Sequence, residues 1–342
     1  MRKALVLHIF LLLSAFVATA QKARFEFYTT ADGLAGNNTT SVAQDELGFI
    51  WFINDGKIHR YDGRNFLAYS PPPELQHTRE PMLGLASWQD SLLLVWSEHL
   101  AFLFDPKTGN WRGIRIKDGV TKDDVAPFWQ RLGKSSIVIN SIKRGIGEAT
   151  LWTFGGNQLA PVRLPGHIAT LRYPYYWCDI DASGHTYLAY HDTLYQLDQS
   201  GHETVTPMNS IGTDCYDLCF QLDEDGALIL LANWRFYRLD KANNRFVPHP
   251  ANRFLRAGQN HLHRFILGKN GSIWACGQDR NLIYYNAEAD TLYNYHDELK
   301  ILLPNSNDFK GVFQDKTGII WIDTRLGLLK VRPQTYPFDN FF

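Results

Sequence analysis

The chain has no run of lysine or arginine, no Cys-x-x-Cys pair, and no long apolar segment after its first twenty residues. Each absence excludes something. With 34 basic against 35 acidic residues and a formal net charge of −1, nothing draws in a phosphate backbone or an anionic bilayer, so no nucleic acid is expected as a partner. A membrane span needs about 20 consecutive apolar residues, and no such window follows residue 21. Zinc and redox motifs lack their spacing. Gly155-Gly156 is not followed by Lys-Ser/Thr and reads as a turn rather than a phosphate loop. No cofactor is expected. Methionine is scarce as well, with three residues against ten Trp and sixteen Tyr. Stacked sheets favour wide, rigid fillers of the Trp and Tyr kind.

What the chain does have is a repeat. Asp45-Glu46-Leu47-Gly48-Phe49-Ile50-Trp51 returns as Asp315-Lys316-Thr317-Gly318-Ile319-Ile320-Trp321, with weaker copies around Gly184 and Gly226 and at Gly268-Lys269-Asn270-Gly271-Ser272-Ile273-Trp274. Degenerate copies turn near Asp90 and Gly133. From Gly48 through Asp90, Gly133, Gly184, Gly226 and Gly271 to Gly318 the steps are 42, 43, 51, 42, 45 and 47 residues. Units of near-constant length point to radial repetition. Within a unit an apolar stretch enters an acidic, glycine-containing turn and a β-prone stretch leaves it, which is a hairpin. The glycine supplies positive φ, and the aspartate three residues earlier accepts hydrogen bonds from turn amides. A second hairpin follows, as in Lys57-Ile58-His59-Arg60-Tyr61-Asp62-Gly63 and then residues 65–69. Four short strands per unit make one blade, so the expected fold is an all-β, seven-bladed β-propeller of four-stranded antiparallel blades over residues 21–342. Trp51, Trp274 and Trp321 are expected between blades. Residues 24–28 are expected as the outer strand of the last blade, beside residues 327–331, because this removes two sheet edges. Residues 338–342 are the rival for that edge.

The first residues read as an export signal. Met1-Arg2-Lys3 is basic, residues 4–17 are apolar, and Ala18-Thr19-Ala20 offers small residues for cleavage before Gln21. A signal peptide over 1–20 makes the mature chain periplasmic or otherwise exported, where disulfides are permitted. Cys215 and Cys219 are four apart, roughly 13 Å along a strand, too far to bridge each other. Cys178 and Cys219 fall on adjacent inner strands. A bridge there stays open, with buried free thiols favoured.

The residues also carry a family resemblance. Phe27-Tyr28-Thr29-Thr30-Ala31-Asp32-Gly33-Leu34, then Gly48-Phe49-Ile50-Trp51, then Arg60-Tyr61-Asp62-Gly63 with Phe66 and Tyr69, resemble the two-component regulator propeller repeat. The last unit, through Leu326-Gly327-Leu328-Leu329-Lys330, resembles it equally. That family forms the periplasmic sensor region of Bacteroides-type hybrid two-component systems. The resemblance implies signal transduction, an oligosaccharide ligand, and the remainder of a sensor kinase as partner. Relatives continue into a second propeller, a β-sandwich, a membrane helix and a kinase. A truncated receptor, a fragment and a free-standing propeller all remain open.

Little in the sequence suggests catalysis. The aspartate stands three residues before the glycine, not two as in sialidase-type Asp boxes. Asp123-Asp124 and Asp223 with Asp225 read as solvated turns. His185, His191, His261 and His263 show no accompanying carboxylate motif, and no metal is expected. No enzyme activity is expected, with a propeller polysaccharide lyase or glycoside hydrolase as one alternative and a protein-interaction scaffold as another. Binding is better supported. Ligands of propellers meet the loops that enter the innermost strands, here residues 37–40, 173–176, 215–218, 260–263 and 307–310. Asn38, Tyr175, Tyr176, His263 and Lys310 supply flat rings and hydrogen-bonding tips of the kind that sugars need.

Overall fold

A computed structural model describes residues 23–333 except 79–80, 89–91, 98–99, 117–127, 133–135, 143–148, 156–157, 162–176, 182, 191, 210, 212–217, 224–225, 257–260 and 306–307, and side chains except 78, 115–180 and 190. Among these residues the strands form seven sheets, six of four antiparallel strands and one of five. The first sheet shows the pattern: Thr39–Gln44 innermost, then Ile50–Asn54, Lys57–Tyr61 and Phe66–Tyr69. Innermost strands of the later sheets are Gly84–Ser87, Phe128–Leu132, Trp177–Ile180, Cys219–Leu222, Leu262–Leu267 and Phe309–Gln314. They pack one against the next from the third sheet through the seventh to the first and second. The third sheet departs from the expected four strands. Arg115–Ile116 adds a fifth strand, parallel to Gln158–Pro161, and covers what would be an open edge. Among the described residues helices are short, the longest being His296–Leu302, and none is long and apolar enough to cross a membrane.

The repeat turns explain why these residues form hairpins. Gly48, Gly184, Gly226, Gly271 and Gly318 all have positive φ, between +72° and +92°. Carboxylate oxygens of Asp45, Asp181, Asp223 and Asp315 accept from the amides of Phe49, His185, Ala227 and Ile319 at 2.7–3.1 Å. Satisfying an amide that the tight turn leaves open contributes about 1 kcal/mol each.

The core lies between the sheets. Trp51 packs with Leu85, Val95 and Phe104 of the second sheet, and Trp321 with Ile50, Phe52 and Tyr61 of the first. Trp274 meets Ile320 and Ile322 of the seventh. All three rings are at most 2% exposed, so these repeat positions lie buried between sheets.

Ring closure follows the expected route. Ala23–Tyr28 pairs antiparallel with Leu328–Pro333, from Ala23 opposite Pro333 to Tyr28 opposite Leu328. The N-terminal strand thus completes a sheet whose other three strands are the last among the described residues. Lys330, 3% exposed, fixes this seam. Its ammonium lies 3.2 Å from Glu26 and within 5.5–5.9 Å of the ring centres of Tyr28, Tyr61 and Trp321. Burial pushes the Glu26 carboxyl up, but hydrogen bonds from Tyr28 and Lys330 and the charges of Lys330 and Arg332 bring it below its ordinary value. Residues 338–342 lie outside the described residues. Cys219 and Cys276 are buried free thiols, so the Cys178–Cys219 bridge does not form.

Candidate functional site

Three innermost strands begin with a bulge. Register shifts occur between Thr40 and Val42, between Leu262 and Arg264, and between Phe309 and Gly311. The extra residues are Ser41, His263 and Lys310. A bulge re-aims the side chain it carries, and here each reaches the neighbouring sheet. Ser41 Oγ donates to the Leu85 carbonyl at 3.0 Å. His263 Nε2 donates to the Phe309 carbonyl at 2.8 Å, which puts the ring proton on Nε2. Lys310 Nζ donates to Asn38 Oδ1 and, at 3.3 Å, to the Thr39 carbonyl. These residues stitch the sixth, seventh, first and second sheets together at the start of their innermost strands.

Charge gathers at the same end. Asp308 lies 3.6 Å from both His263 Nε2 and Arg325, and its buried Oδ1 has no hydrogen-bond partner. Behind Lys310 sits Asp323, whose carboxylate accepts the Ser41 amide at 3.1 Å. A Cβ at Gly311 would stand 2.4 Å from Asp323 Oδ1, so only glycine lets the two strands approach there. Burial pushes the Asp323 carboxyl up, against the Ser41 amide. Burial likewise pushes the Lys310 ammonium below its ordinary value, with Asp323 and Asp308 opposing. Lys310 uses two of its three N–H groups, and the exposed Asn38 keeps its amide N–H groups free of partners among the described residues. The mouth therefore offers donors from Asn38, Lys310 and Arg325, while the unsatisfied Asp308 oxygen is sealed from solvent.

Of the residues expected at a site, Asn38 and Lys310 are in contact, and His263 adjoins them through the carbonyl next to Lys310. Tyr175 and Tyr176 lie outside the described residues. Asp308 falls within the window that repeat spacing marked. Arg325, Ser41 and Asp323 were missed, because a bulge leaves no signal in a single repeat. His261 is stacked on Trp234, with centroids 4.3 Å apart. His185 bonds Asp181 at 3.0 Å. Among the described residues no three His, Cys, Asp or Glu side chains converge as metal ligands.

No protein family matches the chain, and no curated protein does. Solved structures do match. A streptogramin B lyase superposes with a TM-score of 0.67 at 14% identity, over 91% of this chain and 98% of that one. The extracellular domain assigned to a hybrid two-component system of B. thetaiotaomicron gives 0.67 at 13% identity, over 91% of this chain but 41% of its own length. The WD40 β-propeller domain of Doa1 gives 0.62 at 14% identity, over 92% and 98%. Such identities establish a shared fold, the β-propeller, and nothing finer.

Proposed function

We propose that this β-propeller is the exported, extracytoplasmic ligand-sensing module of a two-component regulator, and that its channel mouth binds an oligosaccharide. The ring is taken as seven-bladed, with the five-stranded sheet as its third blade. The observation that carries the reading is the mouth itself, where bulges turn His263 and Lys310 toward a rim shared with Asn38, Asp308 and Arg325. Sugar hydroxyls both donate and accept, and this rim presents donors from Asn38, Lys310 and Arg325. Tyr175 and Tyr176 are assigned as stacking faces because flat aromatic rings are what sugars stack on, and the family resemblance implies an oligosaccharide as the ligand. Similarity to the extracellular domain of a two-component system supports the cellular role, with a sensor kinase as the partner.

A lyase would need a proton acceptor in the mouth. His263 and Asp308 are the pair available, 3.6 Å apart; with Nε2 donating to the Phe309 carbonyl, Nδ1 is the nitrogen left as a base. The non-catalytic reading is preferred on the family resemblance. Calorimetry of the purified propeller against an oligosaccharide panel tests it. Asn38→Ala and Tyr176→Ala are each expected to weaken the best binder about tenfold, with melting temperature nearly unchanged. Absence of any binder at millimolar concentration would overturn the proposal.

A further inference from the structure

The sixth repeat departs from its siblings at one atom group. In the first repeat Asp45 Oδ2 accepts the indole N–H of Trp51 at 2.8 Å, and in the seventh Asp315 Oδ2 accepts that of Trp321 at 2.9 Å. The fourth repeat does the same with Asp181 and the Tyr187 hydroxyl at 3.2 Å. The fifth keeps Asp223 but has Ile229 in the aromatic place, which needs no acceptor. The sixth keeps the tryptophan, Trp274, and has Gly268 where the aspartate belongs. Trp274 is 2% exposed, and its indole N–H has no acceptor among the described residues. That N–H is not among the sealed polar atoms left without a partner, so it opens to solvent and is free to donate to a bound group.

That ring borders a groove. Between the sixth and seventh sheets, on the turn end of the barrel and away from the mouth, a cleft of about 770 Å³ is lined by Trp274, Tyr284, Lys269, Gln314, Asn286 and their neighbours. The next boundary is closed by the same residue types. There Gln44 Oε1 accepts the Lys316 amide at 2.7 Å, and Lys316 Nζ donates to the Asp45 carbonyl at 3.0 Å. Lys269 and Gln314 hold the corresponding places but form no such bond across the groove among the described residues. The cause is local. Without an aspartate the turn re-forms one residue later, with the Ser272 amide on the Lys269 carbonyl at 3.2 Å and Asn270 at φ +56°.

We propose that this groove is a second binding site, which takes a uronic-acid residue of a saccharide, its carboxylate accepting the Trp274 indole N–H as Asp45 and Asp315 do in their own repeats. Lys269 supplies the countercharge. The other lining charges are already engaged: Arg332 with Glu26, Lys316 with Asp45, Glu288 with Asn270, and Asp315 with Trp321. Amides of Gln314 and Asn286 suit hydroxyl groups better than an apolar side chain, which favours a sugar acid over an acidic peptide.

The test follows the Trp274 indole N–H resonance, assigned with Trp274→Phe, while the whole chain is titrated with digalacturonate, a neutral disaccharide and an acidic tetrapeptide. Digalacturonate is expected to move that resonance and to bind at least tenfold more tightly than the neutral sugar. Gly268→Asp combined with Ser272→Ala supplies the missing carboxylate from within. The second change is needed because a Cβ at Gly268 would stand 2.5 Å from Ser272 Oγ, while φ of −92° already suits aspartate. That variant is expected to melt higher and to lose digalacturonate binding. An unmoved resonance at millimolar digalacturonate, equal binding of the neutral sugar, binding of the peptide alone, or retained binding by the double variant would each overturn the proposal. The resonance reports the groove only, so its failure is separable from failure at the mouth.

Discussion

His59 is the residue whose chemistry fits its place least well. It is fully buried in the first sheet, stacked on Phe52 at 5.3 Å, and neither ring nitrogen has a hydrogen-bond partner. Burial pushes its pKa from 6.5 down to about 4, with Lys57 adding to the effect. Because the folded value is the depressed one, the neutral ring costs nothing extra above pH 6.5. Stability is lost as pH falls from there toward 4, by an amount on the order of 3 kcal/mol in total. His59→Leu is expected to flatten that part of the pH profile, measured by urea unfolding between pH 4 and 7. His249, also lowered to about 4 by burial, keeps a second slope in the variant. An unchanged profile in His59→Leu would refute the assignment.

At the scale of the element, the working unit is the turn plus the aromatic it supports. Trp51 fills the gap to the second sheet, so Trp51→Ala is expected to cost about 3–5 kcal/mol. A finer comparison separates ring from hydrogen bond. Trp51→Phe keeps most of the packing but strands Asp45 Oδ2, which costs about 1–3 kcal/mol. Trp274→Phe removes an N–H that has no acceptor and is expected to cost clearly less. Chemical denaturation of the two variants side by side decides it, and equal losses would mean that the aspartate contributes only turn geometry.

For the whole molecule the seam matters most. The N-terminal strand supplies Glu26 to Lys330, whose ammonium is otherwise sealed among three rings. Deleting residues 21–30 removes one strand of the seventh sheet and leaves that ammonium uncompensated, a loss of about 3–5 kcal/mol from the charge alone. The melting temperature is expected to drop by several degrees at least. An unchanged melt would mean that another segment closes the ring.

Repeat length, the Asp-to-Gly turns, the structural tryptophans and the closing strand were all legible in the amino-acid sequence. Each depends on groups a few residues apart or on the pairing of a sheet edge, and such short-range chemistry is written again in every repeat. The mouth was legible only in outline: spacing marked Asn38, His263 and Lys310, but their contacts join positions 46 and 272 residues apart. Tertiary structure alone decided the bulges that aim those side chains, the fifth strand of the third sheet, and the groove beside Trp274. All three arise where neighbouring sheets meet, and one repeat read by itself carries no information about the surface that its neighbour presents.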